Sequence, residues 1–181
     1  MDPQEPGVEE NTFVNEVKGG VVPTNFIPAV EKGVFDGLKK GILAGAPVVG
    51  VKVTLDDGSS HPVDSSEQAF RMAGSIAVKN ALQQSNPILL EPIMNVAITV
   101  SEAIMGDIMS DMSGRRGQIQ GSEPIGGGLQ VVRALVPLAE MSRYAADLRS
   151  LSQGAASYTM EFSHYQEVPA HLAEGIIAAR K

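Results

Sequence analysis

Leu90-Glu91-Pro92-Ile93-Met94-Asn95-Val96-Ala97-Ile98-Thr99-Val100 runs straight into Ser101 and then Ile104, Met105, Ile108 and Met112. The first eleven residues are rich in apolar and β-branched side chains and read as a strand. The four apolar residues recur at helical spacing, so a helix runs from Ser101 to a turn at Gly114. Two strands come next, Gly117 to Gly121 and Leu129 to Val136, joined through Pro124 and the Gly126-Gly127-Gly128 run, which suits a hairpin loop. Pro137 takes the favoured first position of a second helix, with Leu138, Met141, Ala145, Leu148 and Leu151 inward and a stop near Gly154. Tyr158-Thr159-Met160-Glu161-Phe162-Ser163 alternates and makes the last strand. The order β-α-β-β-α-β predicts a ferredoxin-like sandwich of two helices on an antiparallel sheet. A short helix after Pro169 closes the chain.

Working back from Leu90, the polar breaker Ser85-Asn86-Pro87 separates two complete runs of elements. It predicts two domains, residues 1–87 and 88–181, in an α+β chain. After an acidic lead (Asp2 to Asn11), Thr12 to Val17 alternates and reads as a strand. A helix follows, with Ile27, Val30, Val34 and Leu38 at helical spacing, Asn25 as N-cap, Pro28 in the tolerant first turn and Gly41 as a stop. Pro47 to Leu55 is a second strand. The polar turn Asp56-Asp57-Gly58-Ser59-Ser60-His61 leads to Asp64-Ser65-Ser66-Glu67, whose spacing resembles a capping box opening a helix to about Gln83. Ala69, Ala73, Ala77 and Ala81 line that helix and predict close approach to a neighbour.

Composition narrows the function. Of 181 residues 43% are apolar, enough for a core, while aromatic residues are only 4% with no Trp, so Val, Ile, Leu, Met and Ala must build it. The absence of Cys removes disulfides and thiolate chemistry and fits a reducing cytoplasm. The net charge is -7, with seven basic against eleven acidic residues up to Pro87 and seven against ten beyond it. That balance is opposite to a free nucleic-acid binder, so any RNA contact must be local or delivered by something else. No apolar run approaches the ~18 residues of a membrane span. The phosphate-cradling Gly-x-x-x-x-Gly-Lys-Ser/Thr pattern is absent, so this chain by itself is not expected to hydrolyse GTP or ATP.

His61 sits beside Ser59 and Ser60, with Asp56, Asp57 and Asp64 close in sequence. A Ser/His/Asp hydrolase needs a triad gathered around an oxyanion hole, and no Gly-x-Ser-x-Gly elbow occurs, so a contact loop or solvated loop is the expected role. His164 and His171 are expected on the surface. Arg115-Arg116 is the most concentrated basic spot, and two roles stay open for it: complementing a helix C-terminus or contacting phosphate.

Several runs together resemble one family. They are Val17-Lys18-Gly19-Gly20-Val21-Val22-Pro23, Ile27-Pro28-Ala29-Val30-Glu31-Lys32-Gly33, Val51-Lys52-Val53-Thr54-Leu55 and Val63-Asp64-Ser65-Ser66-Glu67 in the first half. In the second half they are Leu90-Glu91-Pro92-Ile93-Met94, Met105-Gly106-Asp107, Arg115-Arg116-Gly117, Val136-Pro137-Leu138-Ala139-Glu140-Met141, Asp147-Leu148-Arg149-Ser150 and Tyr158-Thr159-Met160-Glu161-Phe162. The chain resembles the C-terminal portion of bacterial translation elongation factor G over nearly its whole length.

The resemblance implies a truncated fourth domain over residues 1–87, a ribosomal-protein-like βαβ unit with a left-handed crossover against the usual rule. A complete ferredoxin-like fifth domain then follows, its last helix packing back toward the fourth. It implies a translational GTPase whose GTP and Mg lie in an N-terminal domain of the parent, with no cofactor or metal in this chain and none of its residues catalytic. Implied partners are the ribosome, tRNA and mRNA: the small-subunit decoding region for the fourth domain, and the large-subunit sarcin-ricin loop and stalk base for the fifth. A monomeric cytoplasmic protein without a membrane partner is expected. Site residues carried over as RNA contacts are Gly58, Ser59, Ser60 and His61 at the tip of the fourth domain, and Arg115 and Arg116 in the fifth. Two departures stand out: Ser152-Gln153-Gly154-Ala155-Ala156 where many relatives read Thr-Gln-Gly-Arg-Gly, and Met141-Ser142-Arg143-Tyr144 where many read Met-Phe-Gly-Tyr. They leave open a paralogue acting in ribosome recycling, and a stand-alone RNA- or protein-binding module is the further alternative.

Overall fold

A computed structural model describes residues 1–5 and 7–180. Its contacts divide the chain into two units: Met1–Leu89 together with Pro169–Lys181, and Leu90–Val168. Pro6, in the acidic lead, lies outside the described residues.

In the first unit β2 (Thr12–Asn15) pairs in parallel with β3 (Val51–Leu55), Phe13 opposite Val53, and α1 (Ile27–Lys40) makes the crossover between them. The two-residue β1 (Asp2–Pro3) flanks β3 on its other side, antiparallel, and α2 (Glu67–Gln84) follows. Val30, Val34, Leu38, Val53, Val78 and Leu82 form the core between sheet and helices. Local hydrogen bonding shortens both strands relative to the sequence reading. β2 stops at Asn15 because its side-chain oxygen accepts the Val17 N–H at 3.1 Å, turning the chain. Asn11 donates to the Val48 carbonyl at 2.7 Å and accepts from the Val51 N–H at 3.1 Å, so strand geometry begins at Val51 rather than at Pro47.

Both helix starts also differ from expectation. Asn25 lies inside a 3-10 turn (Thr24–Phe26), and Phe26, without a side-chain bond, takes the N-cap of α1. The N-cap of α2 is Ser66, whose hydroxyl accepts the Ala69 N–H at 3.1 Å; Glu67 therefore falls at the first helical position and the capping box does not form. The alanine face is corrected as well. Ala69, Ala73 and Ala77 are exposed, and Gly74, Val78 and Leu82, one position round the helix, are buried. Close approach comes instead from glycines: a Cβ at Gly33 would lie 1.9 Å from the Arg71 carbonyl oxygen, and one at Gly74 2.7 Å from that of Val30. Gly33 faces Arg71 and Gly37 faces Ser75, so the helices run side by side in the same sense.

The second unit is the βαββαβ sandwich. β4 (Leu90–Ser101), α3 (Met105–Gly114), β5 (Gln118–Gly126), β6 (Leu129–Pro137), α4 (Tyr144–Leu151) and β7 (Ser157–Glu167) build an antiparallel sheet of order β5-β6-β4-β7. Val96, Ile98, Val100, Val132, Ala134 and Val136 close a core with Ile108, Met112, Tyr144 and Leu148. The hairpin loop shrinks to Gly127-Gly128, both at positive φ (62° and 75°), and Pro124 lies within β5, tolerated on an edge strand beside a bulge. Pro137 ends β6 instead of opening a helix; a 3-10 turn (Leu138–Met141) intervenes before α4. After Pro169, α5 (Ala170–Ala179) forms as expected. Among the described residues no helix is long and apolar enough to cross a membrane.

Two measurements test this architecture. β2 is the last strand of its sheet and β1 covers β3 over only two residues, so amides of β2 and β3 should exchange hydrogen faster than those of β4 and β6; uniform protection would contradict the unpaired edge. Gly33→Ala should cost about 3 kcal/mol or more by urea unfolding because two helix backbones must separate. Gly175→Ala in exposed α5, where a Cβ meets nothing within 4 Å, should instead gain about 0.5–1 kcal/mol.

Candidate RNA-contact site

Two turns meet at one end of the first unit. One is Val17 to Pro23, with Gly19 and Gly20 at φ 71° and 70°; the other is Asp56 to Ser66. Gly58 touches the first turn: a Cβ there would lie 2.5 Å from a Val22 methyl, and Val22 is only 3% exposed. The turns lead directly into the two helices, and Phe26 before α1 stacks on Phe70 in the first turn of α2, ring centroids 4.7 Å apart. Arg71 and Asp36, paired at 2.6 Å, tie the helices further along. The turn at Val17 to Pro23 escapes the sequence reading as a site element; its signal was the doubled glycine beside Lys18.

Gly58, Ser59, Ser60 and His61 are thus brought together on an exposed turn. Asp57 accepts the Gly58 N–H at 2.8 Å. His61 is held at its backbone from both sides: its N–H donates to Ser65 Oγ at 2.7 Å, and its carbonyl accepts the Ser65 N–H at 3.2 Å. Its ring nitrogen Nδ1 accepts the Val63 N–H at 3.3 Å and lies 3.4 Å from Asp64 Oδ2. Asp56, Asp57 and Asp64 make the turn acidic, and among the described residues no cluster of His, Asp and Glu has metal-site geometry. The turn offers hydroxyl, amide and imidazole hydrogen bonds, not a cationic surface.

Arg115 and Arg116 lie in the other unit, and their charge is used inside it. Arg115 caps α3 and donates to Asp111 at 2.9 Å, to the Glu140 carbonyl at 2.9 Å and to Asp147 at 2.7 Å, with its guanidinium 5.0 Å from the Tyr144 ring centroid. Arg116 makes a bidentate pair with Glu91 at 2.7 and 2.8 Å and a third bond to Glu140 at 2.9 Å. The hydrogen bonds to Asp111 and Asp147 raise the Arg115 pKa, and those to Glu91 and Glu140 raise that of Arg116, against the opposing effect of burial. Burial likewise pushes the Tyr144 hydroxyl up, and that hydroxyl has no partner among the described residues. Four carboxylates surround two guanidiniums, an arrangement that repels phosphate. Of the two roles left open for this pair, the geometry supports the helix terminus.

That terminus has an unusual residue. The Arg116 N–H reaches the Ser113 carbonyl at 3.2 Å and the Gly117 N–H reaches that of Met112 at 2.9 Å, a Schellman ending whose left-handed position, φ 58°, is held by arginine where glycine is usual. An L-residue there costs roughly 1–2 kcal/mol. Glu91, 8% exposed, needs the arginine's charge. Arg116→Gly should therefore destabilise by about 2–3 kcal/mol in urea unfolding although it relieves the backbone, and adding Glu91→Gln should recover about half. A stabilising Arg116→Gly would show that backbone strain outweighs the ion pair.

The family described as elongation factor G, domain IV, matches residues 1–86, and the family described as elongation factor G C-terminus matches residues 88–176. A crystal structure of a protein from Thermus thermophilus superposes with a TM-score of 0.89 at 44% identity over 99% of this chain. The chain spans 26% of that protein's length. Two family matches laid end to end, and a relative of the same fold at 44% identity, place the chain in the elongation factor G family, as its domain IV and C-terminal portion.

Proposed function

We propose that this chain is the ribosome-engaging C-terminal module of a translational GTPase and promotes GTP-dependent movement of tRNA and mRNA through the ribosome. The tip around His61 enters the small-subunit decoding region, and the second unit binds near the sarcin-ricin loop and stalk base. The observation that carries the reading is the tip itself: an exposed histidine on a turn built by glycine contact and seated on two helices locked together. Its acidic neighbours argue against free capture of RNA. They are compatible with contacts made once a larger assembly has positioned the module, where few hydrogen bonds must supply affinity.

Nucleotide chemistry belongs elsewhere in the parent. The residues of this chain do not fit GTP: the phosphate-cradling pattern is absent, and the exposed turn presents three aspartates, which repel phosphate. The role proposed for the chain is mechanical, occupying space and contacting RNA, with hydrolysis performed upstream. In the full-length parent, His61→Ala should slow translocation at least about tenfold, the worth of one good hydrogen bond at the tip, while leaving ribosome-stimulated GTP hydrolysis unchanged. Equal loss of both would remove the tip from the mechanism.

A further inference from the structure

The sequence His61-Pro62-Val63-Asp64-Ser65 closes a small ring of hydrogen bonds around the one imidazole at the tip. Pro62 has no N–H and keeps the residue before it extended, so the first amide after His61 belongs to Val63. That amide points at His61 Nδ1, 3.3 Å away. An imidazole nitrogen that accepts an N–H cannot itself carry a proton; in the neutral ring the proton must sit on Nε2. Nε2 lies on the opposite edge of a side chain that is 66% exposed, and it has no partner among the described residues. The ring orientation depends on the backbone at His61, and Ser65 fixes that backbone twice, accepting its N–H through Oγ at 2.7 Å and donating its own N–H to the carbonyl at 3.2 Å. Ser65 is itself anchored because Ser66, next to it, caps α2.

We propose that Ser65 is a positioning residue which, with the Val63 amide, holds neutral His61 as the Nε2–H tautomer and presents that single donor outward to a hydrogen-bond acceptor of RNA. The inference rests on the tip being the RNA-contacting end of the unit. It assigns His61 a directed hydrogen bond rather than a positive charge. Asp64, with Oδ2 3.4 Å from Nδ1, is the charged group at the ring, and Asp56 and Asp57 lie in the same turn. A protonated ring would lose the Val63 bond and turn Nδ1 into a donor to Asp64. The directed donor therefore belongs to the neutral form.

The test needs no ribosome. In the 15N-labelled chain at about pH 8, above the ordinary histidine range near 6.5, nitrogen resonances of the ring are assigned to His61 by their disappearance in His61→Gln. The expected result is a protonated Nε2 and an unprotonated Nδ1 as one tautomer, with the His61 amide exchanging at least about tenfold more slowly than in Ser65→Ala. Ser65→Ala should restore a mixture of tautomers and Ser65→Thr, which keeps the oxygen, should return both readouts to the parent values. A protonated Nδ1, or a tautomer ratio that Ser65→Ala leaves unchanged, would overturn the proposal. On ribosomes, in the full-length parent, His61→Gln carries a donor at similar reach and should retain translocation better than His61→Phe; equal rates would also overturn the directed donor. Loss of the ring orientation would leave ribosome engagement by the tip standing, whereas a His61→Ala parent that translocates normally would end that reading without touching the tautomer.

Discussion

Two helix backbones touch in this protein, and the geometry of the tip descends from that contact. Gly33 and Gly74 leave no room for a methyl group against the facing carbonyls, so α1 and α2 are set at a distance no larger residue would allow. Each helix begins where one turn of the tip ends. Fixing the helices side by side, with the same sense, therefore fixes the two turns beside each other, and the stacked rings of Phe26 and Phe70 secure the junction. Gly58 against Val22 then closes the tip itself. An exposed site on surface turns is ordinarily soft. Here its stiffness comes from apolar contacts and close backbone approach below it, with the hydrogen bonds of Asp57, His61 and Ser65 added within the turn.

The second unit secures its parts by a different means. Arg115 and Arg116 stand at the end of α3 and reach β4, the turn before α4, and α4 itself. The Arg116 contacts join an unfavourable backbone angle to a buried carboxylate, so neither feature would persist alone. Charge concentrated at one place on an acidic chain is easily read as a binding site, and the same concentration serves here to hold three elements to a fourth.

Much of this architecture can be read from the residues. The alternation and spacing along Leu90 to Val136 describe the sandwich because β4, α3 and β6 each have one buried face, and burial is what periodicity records; β7 alternates as well, yet beyond half-buried Tyr158 its side chains are exposed. The first unit is less legible where interactions are side-chain to backbone: Asn11, Asn15 and Ser66 move element boundaries through single hydrogen bonds that no periodic pattern carries. The alanine row on α2 misled because small residues suit both an exposed helix face and a tight contact. In the site, the turn from Gly58 to His61 was visible as polar and flexible sequence, while its second half, Lys18 to Val22, became part of the tip only through a contact 36 residues away in sequence, between Val22 and Gly58. The two arginines could not be assigned without their partners, since Glu91, Glu140 and Asp147 are distant in sequence.

β4 and β7, the first and last strands of the sandwich, are neighbours, with Leu90 paired to Glu167. The chain therefore enters and leaves the second unit at the same place, and the residues before and after it belong to the first unit. In polymer terms the sandwich is a clasp: while folded, it shortens the tether between α2 and α5 to the width of one strand pair. Unfolding it would replace that clasp with a loop of roughly 80 free residues, whose closure entropy the attachment of α5 would then have to overcome, growing only logarithmically with length. Connectivity by itself thus couples the thermodynamic fates of the two units.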